Sequence, residues 1–152
     1  MKYFIFIQIL IIILFLGCFF SNTPVDESAC TTVQVVVEDK IHSRGGRINE
    51  VCVCSNGVWY VFHEGGLTEE ISMTELYEKI NVGDTIEITY TERFRIYGGW
   101  YNLVVDAKDD SNSYVDFDLF NSERQSGQIV FNVFFVIIEI IYLLIAGFVL
   151  FI

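Results

Sequence analysis

The chain has one proline, two histidines and only nine Lys/Arg against 20 Asp/Glu. Each shortage excludes a class of chemistry. His42 and His63 fall at no zinc-ligand spacing with the cysteines, so a structural metal centre has too few ligands. The scarcity of Lys and Arg removes the clusters that grip phosphate backbones, so nucleic acid is excluded as a partner. Gly45-Gly46, Gly65-Gly66 and Gly98-Gly99 are isolated turn pairs. None is a GxGxxG fingerprint or a Walker loop. No Ser/His/Asp arrangement or nucleophile elbow appears. The expectation is a chain that is no enzyme and needs no cofactor.

What is present is apolar at both ends. Tyr3–Phe20 is interrupted by one strongly polar side chain, Gln8, and Ile129–Ile152 by two, Asn132 and Glu139. Each run suffices to cross a bilayer core, which takes about 17–25 residues. Of the 9 basic and 20 acidic residues, only Lys2 and Glu139 lie in or beside the runs, leaving 8 and 19 between them. An acidic middle of this kind is soluble and is repelled by anionic headgroups. The organisation expected is a transmembrane helix or signal anchor over residues 1–20, a linker over 21–30, a domain over 31–122 and a second transmembrane helix over 129–152. Lys2 favours a cytoplasmic N-terminus, which places the middle domain outside the cytoplasm of a cell membrane.

The first run has two other readings, a cleaved signal and a lipoprotein signal. Phe15-Leu16-Gly17-Cys18 resembles a bacterial lipoprotein cleavage box, which would make Cys18 the lipidated residue, although Phe15 departs from the usual aliphatic.

Within the middle domain the periodicity is that of strands. Val33, Val35 and Val37 alternate with polar neighbours. Val51–Cys54 and Val58–Phe62 flank Asn56-Gly57, a tight hairpin signal because both residues accept positive φ. Lys40–Asn49, with Arg44-Gly45-Gly46-Arg47, reads as a loop. Ser72-Met73-Thr74-Glu75 is a capping box opening a helix near Met73–Ile80. Thr85–Thr91 alternates again, Phe94–Tyr97 and Trp100–Ala107 flank a second glycine turn, and Tyr114–Phe120 reads as a last strand. Short antiparallel strands with one short helix predict a mainly β domain, an OB-like barrel or a sandwich. The helix followed by Val82-Gly83-Asp84-Thr85-Ile86-Glu87-Ile88 resembles small, uncharacterised bacterial membrane proteins with an OB-like soluble domain. That resemblance implies a binding fold and names no ligand.

Glu139 is the foremost candidate residue. An acid in mid-span costs about 2.5–3.5 kcal/mol on insertion scales. It is therefore expected to face protein or find a partner, and Gln8 is the available partner within the chain. Cys52 and Cys54 share a strand face, and Cys30 with one of them is the expected disulfide in an oxidising compartment. Asp106, Asp109, Asp110, Asn112, Asp116 and Asp118 form an oxygen-rich turn without the EF-hand pattern, expected to be solvated rather than calcium-loaded. Trp59, Tyr60, Tyr97, Trp100, Tyr101 and Tyr114 are expected mainly in the core, with a stacking face as the alternative. The function expected is a membrane-anchored interaction protein. Its middle domain meets a protein or envelope component, and Glu139 docks a membrane protein or a second copy. A calcium- or glycan-binding module and a two-span immunity or regulatory protein are the alternatives.

Overall fold

The computed structural model describes residues 2–21, 23–45, 48–68, 71–95 and 98–151. They fall into two compact units, Met1–Pro24 with Arg124–Ile152, and Val25–Glu123.

The first unit is helical. Helix α1 spans Lys2–Ser21 and the long helix α3 spans Phe117–Phe151. On α1, Gln8, Ile11 and Phe15 are partly covered, whereas Phe6, Ile9 and Ile13 are exposed. On α3, Phe131, Phe135, Ile138, Glu139 and Tyr142 are partly covered between exposed neighbours such as Val130 and Leu144. Steps of three and four residues draw one contact stripe on each helix. The Phe15 ring stands 5.6 Å from Phe131 and 3.8 Å from Phe135, centre to centre. Gln8 meets Glu139, so low numbers on α1 face high numbers on α3 and the two helices run antiparallel. Among the described residues, α3 is the one helix long and apolar enough to cross a membrane, over Phe117–Gly147. No second such span, at the N-terminus or elsewhere, is found among those residues.

The second unit holds strands β1 (Thr31–Val36), β2 (Asp39–Gly45), β3 (Ile48–Ser55), β4 (Val58–Phe62), β5 (Thr85–Arg95), β6 (Gly99–Lys108) and β7 (Ser113–Val115), with helix α2 (Met73–Lys79) between β4 and β5. The hairpin signal holds: Asn56 and Gly57 take φ of 50° and 75°. So does the capping box. The Ser72 amide donates to Glu75 at 2.7 Å and the Glu75 amide to Ser72 Oγ at 3.3 Å.

The strands make one mixed sheet in the order β1-β5-β6-β4-β3-β2, with β7 beside β6 and β4 parallel to β6. The sheet is open. This corrects the expectation of a closed barrel or a two-layer sandwich. The reason lies at Val37-Glu38. The Val37 amide donates to Asp84 O and the Glu38 amide to Cys54 O, both at 2.9 Å. The chain thus bends from one edge of the sheet to the other, and the two edges are joined by backbone continuity instead of a ladder.

Two further expectations change. Lys40–Gly45 is strand, not loop: β2 pairs with β3 from Asp39↔Cys54 to Gly45↔Ile48. Its polar side chains fit an edge strand, where only one neighbour is satisfied by pairing. Arg47 and Gly46 lie outside the described residues. The expected strand Tyr114–Phe120 stops at Val115, because Asp116 caps α3, its carboxylate accepting from the Leu119 amide at 2.8 Å.

The main core gathers Val35, Val37, Val51, Val53, Phe62, Met73, Leu76, Ile80, Ile86, Ile88 and Val104, all nearly solvent-free. A second cluster lies on the opposite face of β6, where Leu103 and Val105 pack with Val25 and Phe120. Val25 belongs to the segment expected to be a linker. It is held there by Asn121, which accepts from the Val25 amide at 2.8 Å and donates to its carbonyl at 3.0 Å.

Candidate functional site

In the helical unit, Gln8 Nε2 donates to both carboxylate oxygens of Glu139, at 3.0 and 2.9 Å. The two residues singled out in the apolar runs are therefore brought together. One amide nitrogen serves both oxygens. The Gln8 Oε1 is buried without a hydrogen-bond partner, and so is Asn132 Oδ1. Buried acceptors of this kind carry an unmet hydrogen bond, which is costly away from water. Cys18 lies within α1, but its side chain is outside what the structure describes.

Cys30, Cys52 and Cys54 are free thiols. Cys52 and Cys54 do share a face of β3, opposite to the buried Val51 and Val53. The expected bridge to Cys30 is absent because Cys30 precedes β1, and β5, β6 and β4 intervene in the sheet. Burial pushes the Cys52 thiol above its usual range, with the Glu50 charge adding to it. A thiol held protonated is a poor nucleophile.

The acidic turn is occupied by its own donors. Asp109 accepts from the amides of Ser111 and Asn112 at 2.6 and 2.7 Å, and also from the Tyr114 hydroxyl. The hydroxyl and amide donors hold its carboxyl at about 2. Asp116 is spent capping α3, and burial raises the Asp106 carboxyl. Asp109 and Asp110 line an open cavity of about 320 Å³, together with Lys79. A cation there meets competition from an ammonium. Among the described residues, no three of His, Cys, Asp and Glu gather as metal ligands.

The aromatic residues divide. Tyr114 and Tyr60 are in the core, Tyr60 edge-on to Tyr90 at 5.2 Å. Trp59 is 38 % exposed and Trp100 71 %. Tyr97 lies outside the described residues. Among the described residues, with Tyr60 and Tyr114 in the core, the aromatics do not share one exposed face.

Sequence reasoning missed the polar cluster on the outer side of the sheet. Glu50 of β3 is 8 % exposed. Arg95, at the end of β5, donates to both its oxygens, with Nη1 at 3.1 Å and Nη2 closer. The guanidinium lies over the Tyr101 ring at 4.1 Å. His63 Nε2 is 2.7 Å from Arg95 Nη2 and 3.3 Å from Glu50. Both contacts cannot use a protonated Nε2. Arg has only donors, so the shorter contact makes Nε2 the acceptor, and the approach to Glu50 follows from sharing Arg95. The available signal was an acid alternating with valines on β3 and an arginine near a hairpin tip. That signal is common on strands and gives no partner.

No protein-family model matches the chain, and no curated protein matches it in sequence.

Proposed function

We propose that the chain is a membrane-anchored, non-catalytic interaction protein, with α1 and α3 as paired spans and the β unit outside the cytoplasm. The observation that carries this reading is the Gln8–Glu139 pair with its leftover acceptors. A chain that needed only an anchor would not retain three amide and carboxylate side chains in apolar runs. Gln8 and Glu139 offset part of their cost against each other. Gln8 Oε1 and Asn132 Oδ1 still lack donors. Ser, Thr, Asn or Gln on a third helix supplies such donors, and hydrogen bonds of this kind between helices are worth about 0.6–2 kcal/mol. The occupant is a membrane helix of another protein or of a second copy.

The β unit is the displayed part. Its connectivity favours an OB-like reading: consecutive strands β1 and β2 at the two edges of the sheet, α2 between β4 and β5, and β4 parallel to β6. Such folds are partly open and bind through their strand faces and loops. The acidic composition directs this one toward a protein or envelope component rather than nucleic acid.

The test is gentle purification of tagged full-length protein beside Gln8→Leu, Asn132→Leu and Glu139→Leu. Co-purifying proteins are identified by mass spectrometry, and self-association is read by energy transfer between labelled copies. A partner or self-association that all three substitutions weaken supports the reading. Identical partners and identical energy transfer in all four proteins would reduce the spans to an anchor.

A further inference from the structure

The Gln8–Glu139 pair is short of donors and of positive charge. It holds three side-chain oxygens and one nitrogen. Both Glu139 oxygens accept from that nitrogen, at 3.0 and 2.9 Å, the pattern of a carboxylate, which has acceptors only. Gln8 Oε1 is buried without a donor. The runs Tyr3–Phe20 and Ile129–Ile152 contain no Lys, Arg or His. Glu139 lies ten residues beyond Ile129. That is about 15 Å along a helix, half of a hydrocarbon core about 30 Å thick. An acid at that depth is costly, and pairing with an opposite charge offsets the cost.

We infer that Glu139 pairs with a lysine or arginine carried at mid-bilayer depth by a membrane helix of a different protein. The inference deepens the membrane-anchored interaction reading above and rests on it. Charge complementarity chooses this occupant. A neutral donor satisfies Gln8 Oε1 but leaves the charge of the carboxylate uncompensated. A second copy brings a second carboxylate and no cation, because its two runs have the same sequence. An ammonium brings three donors and no acceptor, and a guanidinium five. Hydrogen bonds to ionised groups are roughly twice as strong as neutral ones. Room for such a helix lies beside the acid. Val136 and Leu143, one turn to either side of Glu139 on α3, are 55 % and 63 % exposed. Glu139 itself is only partly covered. A third helix therefore meets an apolar strip with the carboxylate at its margin.

The test uses the full-length protein in phosphatidylcholine vesicles, with polyleucine transmembrane peptides that carry a central Lys, Gln or Leu. Flotation establishes that the protein is membrane-bound. Association is read by energy transfer from labelled protein to labelled peptide. The Lys peptide is expected to associate about tenfold more tightly than the Leu peptide, and more tightly than the Gln peptide. Glu139→Gln, which keeps the shape and removes the charge, should abolish that advantage. A Lys peptide no better than the Gln peptide overturns the inference and leaves the interaction reading standing. An advantage that survives Glu139→Gln does the same. Energy transfer between labelled copies of the protein that Glu139→Gln weakens and the Lys peptide does not displace also overturns it, in favour of a second copy. Protein that does not float overturns the anchored reading itself.

Discussion

Arg95→Met should destabilise the β unit more than Glu50→Gln, and combining the two should recover stability. The argument starts from exposure. The Glu50 side chain is 11 % exposed and that of Arg95 34 %. Removing Arg95 strands a carboxylate that water barely reaches. Breaking a fully buried pair from one side costs about 3–5 kcal/mol. Here a third of the Arg95 side chain is already exposed, so the charge interaction is screened and a loss of about 2 kcal/mol is expected. The contact with Tyr101 at 4.1 Å adds about 0.5–1 kcal/mol. Glu50→Gln keeps the shape and one acceptor, and leaves a cation that water can still reach, for about 1 kcal/mol. In Glu50→Gln with Arg95→Met no buried charge remains unpaired, so the double variant should melt above Arg95→Met by several degrees, at about 4–8 °C per kcal/mol for a unit of this size. Near-ultraviolet circular dichroism of the full chain in detergent follows the aromatic core through the melt. If the double variant melts at or below Arg95→Met, the carboxylate is not the source of the loss and the reasoning fails.

Three other outcomes are expected. Gly66→Ala should cost about 2–5 kcal/mol, because a Cβ there lies 2.5 Å from Phe120 Cβ and 2.8 Å from its Cα, at φ 79°, combining left-handed strain with overpacking; chemical denaturation of the full chain reads it, and a loss below about 1 kcal/mol would mean that α3 moves aside freely. Asp109, held at about 2 against an ordinary 3.8, contributes stability above its unfolded value that is lost as pH falls through about 2; Asp109→Asn should therefore flatten the melting temperature between pH 4 and pH 2, and an unchanged acid limb would refute the role of its donors. Gln8→Leu and Glu139→Leu should couple by about 0.6–1.7 kcal/mol in a double-mutant cycle on helix association in detergent, the range such cycles give for polar contacts between membrane helices, whereas strict additivity would place the two side chains apart.

The elements legible in the sequence were those whose signal is local. Asn56-Gly57 needs no tertiary partner to prefer positive φ, and Ser72 with Glu75 closes its hydrogen bonds within four residues. Gln8 and Glu139 were legible for another reason: a polar side chain in an apolar run has few companions, so the pairing choice is nearly forced. What escaped depends on pairing at a distance. Lys40–Gly45 looks like a loop because Lys40, His42 and Arg44 are polar where a strand would show apolar residues; they lie against α2, and only the ladder to β3 makes the segment a strand. The Lys40 ammonium then reaches the carbonyls of Tyr77 and Ile80 at 2.5 and 2.6 Å, capping α2 from 37 residues away. Asp116 reads equally as a turn residue and as an N-cap, so the helix start at Phe117 was hidden behind a strand-like alternation of Val115, Phe117 and Leu119. Phe94 and Trp100 are the instructive pair. Their alternation is that of core residues, and it predicts burial. They are exposed because the hairpin is longer than the core it belongs to. A strand's alternation sets the face a residue takes, and only the extent of the core decides whether that face is covered.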